Sequence, residues 1–240
     1  MRKEKLEELN DYIRELQTVK KTLVASEYIC DDKNAKGSKK YLFHLKNNLL
    51  TLLQKNTSIR RKGFMDVEKY MVELANGMVV PREKIIKGGG DKSAAIVMPV
   101  TKDNNTILVV QSRSSTKESV CVEFPAGYIE EGESPEYGAK REVMEETGYL
   151  PQEMIFLDKF YQDQSCGVCA QNYSYLALGC ERVQGQNLDD NEAIRYFECS
   201  VDEVLELMER GYITDIQTKY TLNLAKPYVY QRTANAKLQK

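Results

Sequence analysis

Apolar residues in the first part of the chain recur at helical intervals. Leu6, Leu9, Ile13, Leu16 and Leu23 are spaced by three, four or seven, which predicts an amphipathic helix over residues 3–25. The stretch DDKNAKGSKK at 31–40 cannot bury apolar surface and breaks the pattern. Leu42, Phe43, Leu45, Leu49, Leu50, Leu52 and Leu53 then predict a second helix. The two would form a helical hairpin whose apolar face covers the rest of the chain or a second subunit. From about residue 64 the pattern changes to short strands and turns. Residues 70–74 and 78–80 flank Asn76-Gly77, the signal of a β-hairpin spanning about 68–86, and the run Gly88-Gly89-Gly90 follows. The β-branched runs 94–100 and 106–111 are expected to pair as central strands, with further strands at 120–124, 154–161, 173–178 and 193–199. Helices are expected at 135–147, at 201–210 behind the cap Ser200, and at about 214–226. This order predicts an α/β (α+β) architecture with a mixed sheet between helices. The division expected is a helical extension over 1–62 and a second domain over 63–240 that includes the hairpin.

Composition narrows the class. A chain of 240 residues with 42% hydrophobic and 29% charged residues has room for one full domain and an appendage, and its composition is that of an ordered globular protein. No apolar run is long enough to span a membrane, and MRKEKLEELNDY carries no leader-like stretch, so the cytoplasm is the expected location. The six cysteines lack framework spacing and read as reduced thiols. Cys166 and Cys169 would be half a zinc site, but no second pair or histidine follows, and they read as loop cysteines. The net charge of −2 hides +7 over residues 1–62 and −9 over 63–240. The basic extension reads as a solvated helix face rather than a nucleic-acid surface.

The chemistry concentrates in GYIEEGESPEYGAKREVMEETGY at 127–149. Ser134 can cap a helix that opens on Pro135 and stops at Gly148. At about 100° per residue, Glu142, Glu145 and Glu146 share an arc of about 100° on that helix. Like charges stacked this way are unfavourable without a cation, and hard oxygen donors suit Mg²⁺ or Mn²⁺. By itself, such a run reads first as a solvated acidic face.

Gly127, Glu133 and the run Arg141-Glu142-Val143-Met144-Glu145-Glu146-Thr147-Gly148 stand at the spacing of the Nudix box, and the chain resembles that family of hydrolases. Tyr149 is the one departure, at a packing position that is normally aliphatic. The resemblance implies a Nudix α/β/α sandwich in which Glu142 and Glu146 hold Mg²⁺ with help from Glu145, while Glu133 and Arg141 brace the loop at Gly127. The stretches VELANGMVVPRE, LVVQSR, EFPAGYIEEGE and LDDNEAIR, in that order, resemble the ADP-ribose pyrophosphatase branch.

That branch implies a metal-ligating carbonyl at Ala126 and a metal ligand or water-activating base at Asp190 or Glu192. It also implies phosphate contact by Arg113, a weaker nucleotide contact by Arg82 and Glu83, and a homodimer that exchanges N-terminal strands. A carboxylate base agrees with the histidine content: His44 is the only one and lies in the extension. The segment 159–171 lacks the proline usual in enzymes that prefer ADP-ribose. Three functions therefore stand: hydrolysis of ADP-ribose or a nucleotide sugar; hydrolysis of another nucleotide, such as a dinucleoside polyphosphate, a coenzyme or an RNA 5′ end; and non-catalytic nucleotide sensing.

Overall fold

A computed structural model describes residues 3–28, 65–87, 92–113, 116, 120–163, 168, 170–189 and 192–238, with side chains of the first segment described to residue 15. The helix expected over 42–53, His44, Gly88 to Gly90, Cys166, Cys169 and Asp190 lie outside these residues. The chain forms two compact units: one of Met1–Gln17, Ser93–Gln162 and Gln171–Lys240, the other of Thr18–Lys92 and Asp163–Ala170.

The second unit holds a two-stranded antiparallel sheet of β1 (Met65–Glu73) and β2 (Val79–Lys87), in register from Met65 opposite Lys87 to Glu73 opposite Val79. Its turn forms where Asn76-Gly77 predicts it. Gly77 takes φ 79°, and the Asn76 side-chain oxygen accepts the Met78 N–H.

The first unit is built on an eight-stranded mixed sheet: β3 (Ala94–Thr101), β4 (Thr106–Ser112), β5 (Val120–Glu123), β6 (Ala126–Tyr128), β7 (Tyr149–Leu150), β8 (Glu153–Tyr161), β9 (Gln171–Arg182) and β10 (Ile194–Cys199). Its main path runs β10-β4-β3-β9-β7, with β3 and β9 parallel. The runs at 94–100 and 106–111 are paired central neighbours as expected, but the pairing is short: β3 and β4 share the pair Val100 and Thr106. The segment 120–128 enters between them. β5 pairs with β4, and after Pro125, which cannot donate a ladder hydrogen bond, β6 pairs with β3. The Pro125 carbonyl accepts the Val97 N–H at the crossing. The chain therefore changes partner strands immediately before Ala126 and Gly127.

Alternation along β3 divides the core in two. Ile96, Met98 and Val100 face one cluster, whereas Ala95 and Val97 face another. The first cluster is covered by the opening turns of α1 (Lys3–Tyr28), α3 (Val201–Glu209) and α4 (Ile216–Leu238). The second is covered by α2 (Pro135–Thr147), through Ala139 and Val143. This is the expected sandwich of helices on both faces of a mixed sheet.

The residues of α1 up to Gln17 belong to the same compact unit as the sheet. Leu9 is fully buried, Lys5 pairs with Glu203 at 3.1 Å, and the Tyr212 hydroxyl donates to Asn10. The last predicted helix ends near residue 226, yet α4 continues through Pro227 to Leu238. Leu222, Ala225 and Val229 are buried on one face of it, and that burial offsets the hydrogen bond proline removes.

Candidate active site

The helix α2 is bounded as its sequence predicts. The Ser134 hydroxyl oxygen accepts the Tyr137 N–H, Pro135 opens the helix, and Gly148 closes it in the left-handed conformation with φ 78°. A Cβ on Gly148 would also lie 2.3 Å from the Gln184 carbonyl oxygen, so glycine is required there for space as well as for backbone angle. Its N-terminal loop is braced by Arg141. Nε of Arg141 donates to Glu133 Oε1 at 2.8 Å, and Nη2 donates to Glu133 Oε2 and to the Tyr128 carbonyl. Glu133 Oε2 also accepts the Glu130 N–H, and Arg141 holds the Glu133 carboxyl below the usual carboxylate range.

On the same helix, the Glu142 carboxylate lies against the backbone of Gly127. A Cβ there would fall 2.1 Å from its Cδ and Oε1, so the glycine opens the space the carboxylate fills. Glu146 is 2% exposed, and its Oε2 accepts the Ala126 N–H at 3.2 Å. Burial pushes the Glu142 carboxyl up to about 7 against the pull of Arg141, with Glu145 and Glu192 adding to the rise. Burial raises Glu146 well above the ordinary range, reinforced by Glu142, Glu123 and Glu192. Five carboxylates of α2, β5 and the loop before β10 thus act on one another electrostatically.

This donor set fits a divalent cation of the Mg²⁺ or Mn²⁺ class, since buried hard oxygens that repel one another gain from a shared positive charge. Among the described residues, no three acidic, histidine or cysteine side chains already converge on a single ion position. The competing partners are evident. Nη1 of Arg141 donates to both Glu142 and Glu145 at 2.8 Å, and Glu192 Oε2 accepts the Asp189 N–H of its own loop at 3.2 Å.

The fold therefore gathers Ala126, Gly127, Glu133, Arg141, Glu142, Glu145 and Glu146, and brings the charge of Glu192 to bear on two of them. Arg113, at the end of β4, remains 46% exposed while its Nη2 donates to Glu123 Oε1 at 3.0 Å. Arg82 and Glu83 lie exposed on β2 in the other unit, where Arg82 donates to the Pro81 carbonyl.

Glu123 escaped the sequence reading although it stands inside EFPAGYIEEGE. It is 7% exposed, bonded by Gln111 and Arg113, and its pKa is raised by burial with Arg113 opposing. The only available signal was an acidic residue in an otherwise apolar strand.

Comparison with known proteins agrees with this geometry. The NUDIX domain model matches residues 91–217, more than half of the chain, and the chain belongs to the Nudix family. It is similar at 34% identity to an ADP-ribose pyrophosphatase of Bacillus subtilis (strain 168), over 63% of this chain and 79% of that one. It is 35% identical to a methanol dehydrogenase activator of Bacillus methanolicus, over 61% and 77% of the two chains. A shorter match, 45% identical over 25% of this chain and 29% of the other, is to an ADP-sugar pyrophosphatase of Mus musculus. A solved structure described as an ADP compounds hydrolase shares the fold, with a TM-score of 0.61 at 21% identity over 72% of this chain and 90% of that one. The chain is a Nudix pyrophosphohydrolase of the ADP-ribose pyrophosphatase-like branch.

Proposed function

We propose that this protein hydrolyses the diphosphate bond of a nucleoside diphosphate linked to a sugar, ADP-ribose first, using Mg²⁺, with Mn²⁺ as the alternative ion. The observation that carries the reading is the pair Glu142 and Glu146. Glu146 is buried and Glu142 half-buried, and both carboxyls are raised in pKa on a helix bounded as the Nudix box requires. The activities for which the Bacillus subtilis and mouse relatives are named support this substrate class.

In this reading Glu142, Glu146 and the Ala126 carbonyl hold the ion, and Glu145 assists. Bound there, a divalent cation would neutralise charge on the diphosphate and make a coordinated water easier to deprotonate. Glu192 or Asp190 takes the proton from the water that attacks phosphorus, and a phosphate–oxygen bond to the leaving half breaks. Arg113 contacts diphosphate oxygens through its planar fork, releasing Glu123 to do so, while Arg82 and Glu83 reach across a dimer to the nucleotide held by the second copy. Arg141 and Glu133 keep the Gly127 loop against the helix. A homodimer belongs to the same reading, supported by the exposed Val67, Met71 and Val79 on the hairpin.

The test is incubation with Mg²⁺ or Mn²⁺ and a panel of ADP-ribose, other nucleotide sugars, dinucleoside polyphosphates, coenzymes and 5′-modified RNA, with products separated chromatographically. Cleavage of ADP-ribose to AMP and ribose phosphate, abolished in Glu146→Gln at unchanged folding, is expected. Preferential cleavage of another class would overturn the substrate assignment. Tight binding without turnover across the panel would make the protein a sensor. Light scattering reads the oligomeric state.

A further inference from the structure

The carboxylates of the site come from two places in the chain, α2 and the loop before β10, and something must set the distance between them. The segment that follows β9 runs back along the C-terminal end of α2. The N–H groups of Val183 and Gln184 donate to the Gly148 carbonyl, and the Asn187 N–H donates to the Glu145 carbonyl at 2.8 Å. These are carbonyls that a helix end leaves without partners of its own. Gln186 does something further. Its single Nε2 group donates to the backbone carbonyl of Glu146 at 2.6 Å and to that of Ile194 at 3.2 Å.

Ile194 opens β10, two residues beyond Glu192, and Glu146 is the most buried carboxylate of the site. One side chain thus joins the turn of α2 that carries Glu145 and Glu146 to the downstream foot of the loop that carries Glu192. The Asn187 bond fixes the upstream foot to the same turn. Both feet of the loop are consequently pinned to the helix, and Gln186 supplies the only one of these ties made by a side chain among the described residues.

We propose that Gln186 is a positioning residue for the hydrolytic site: it holds the Glu192 loop at the distance from α2 that lets carboxylates of both elements serve one divalent ion. This rests on the metal-dependent reading above. Both bonds of the Gln186 amide go to backbone carbonyls, so it acts through the elements it joins. Its neutral amide suits the role, because two carbonyl acceptors need a donor group and a carboxylate or an alkyl side chain of similar length offers none. Losing it leaves two partly buried carbonyls short of a partner and frees the loop to drift by a fraction of an ångström or more.

The experiment compares wild type with Gln186→Leu and Gln186→Glu, which keep the approximate volume and remove the donors. Steady-state kinetics on the best substrate of the panel, Mn²⁺ binding by titration calorimetry without substrate, and amide hydrogen exchange are measured together. Both variants should lower kcat about tenfold or more with KM within about twofold, and weaken Mn²⁺ binding by a similar factor. Amides from Asn187 to Ile194 should exchange faster, while those in the middle of α2 stay protected.

Kinetics and Mn²⁺ affinity within about twofold of wild type in either variant would overturn the proposal. So would a loss of protection spread over the whole unit, which would mark a merely structural role. Failure of the wild-type protein to bind Mn²⁺ or turn over any substrate would instead strike the underlying reading, so the two failures are told apart.

Discussion

Replacing Gly127 with alanine tests the site at one atom. The added Cβ would sit 2.1 Å from Cδ and Oε1 of Glu142 and 2.4 Å from Oε2, whereas ordinary contact begins at 3.4 Å, so the carboxylate must retreat by about 1.3 Å. Gly127 does not occupy the left-handed region, so alanine brings no backbone strain, and the obstacle is the tip of a flexible side chain. The fold should survive, with a melting temperature close to that of wild type. A misplacement of about 1 Å at a catalytic group can cost about 100-fold in rate, or about 2.7 kcal/mol of transition-state stabilisation.

The assay is kcat/KM with saturating Mg²⁺ for Gly127→Ala, Glu142→Ala and the double variant. If the glycine acts by making room for Glu142, the alanine has nothing left to displace once Glu142 is gone. The double variant should then be no worse than Glu142→Ala alone. Full additivity of the two losses would refute the reasoning, as would a Gly127→Ala enzyme within about threefold of wild type.

Three further outcomes follow from the same structure. Because the Glu142 carboxyl is raised from 4.5 to about 7, the unfolded chain sheds its proton before the folded one does; the contribution of Glu142 to metal-free stability should fall as pH rises through that window, by up to about 1.4 kcal/mol per pH unit, and then level off. Urea unfolding with a chelator at several pH values reads this, and a Glu142→Gln variant with an undiminished slope would contradict it. Leu9→Ala, deleting a fully buried side chain of α1, should cost about 3 kcal/mol and lower the melting temperature by roughly 6–12 °C; a loss below about 1 kcal/mol would show that α1 is not part of this core. Arg141→Lys keeps the charge but loses the paired bonds to Glu133 and the bond to the Tyr128 carbonyl, so kcat should fall about tenfold or more with a lower melting temperature, whereas wild-type kinetics would mean that a point charge suffices.

Local signals in the chain were enough to define α2 to the residue. Its cap, opening proline and closing glycine are interactions between neighbours in sequence, and the same is true of the Asn76-Gly77 turn and the Ser200 cap, where Ser200 and Glu203 bond reciprocally. The three-, four- and seven-residue spacing also identified α1 and the apolar face that buries Leu9. The spacing of Glu142, Glu145 and Glu146 places them on one side of α2 by helix geometry alone. The match to the Nudix box then distinguishes a site from a solvated acidic face.

Tertiary structure decided what depends on residues distant in sequence. The near-absence of pairing between β3 and β4 follows from the later segment 120–128 entering between them, which no local pattern in either strand encodes. The course of α4 through Pro227 depends on the core that receives Leu222, Ala225 and Val229. Glu123 and Gln186 are ordinary polar residues in the sequence. One acquires its character from burial beside Glu146, the other from two carbonyls that only the folded chain brings within reach of a single amide. Residue type and spacing set the chemistry available to α2, because a helix repeats its own geometry; the distances between α2, the Gly127 turn and the Glu192 loop are long-range packing, and only the fold supplies them.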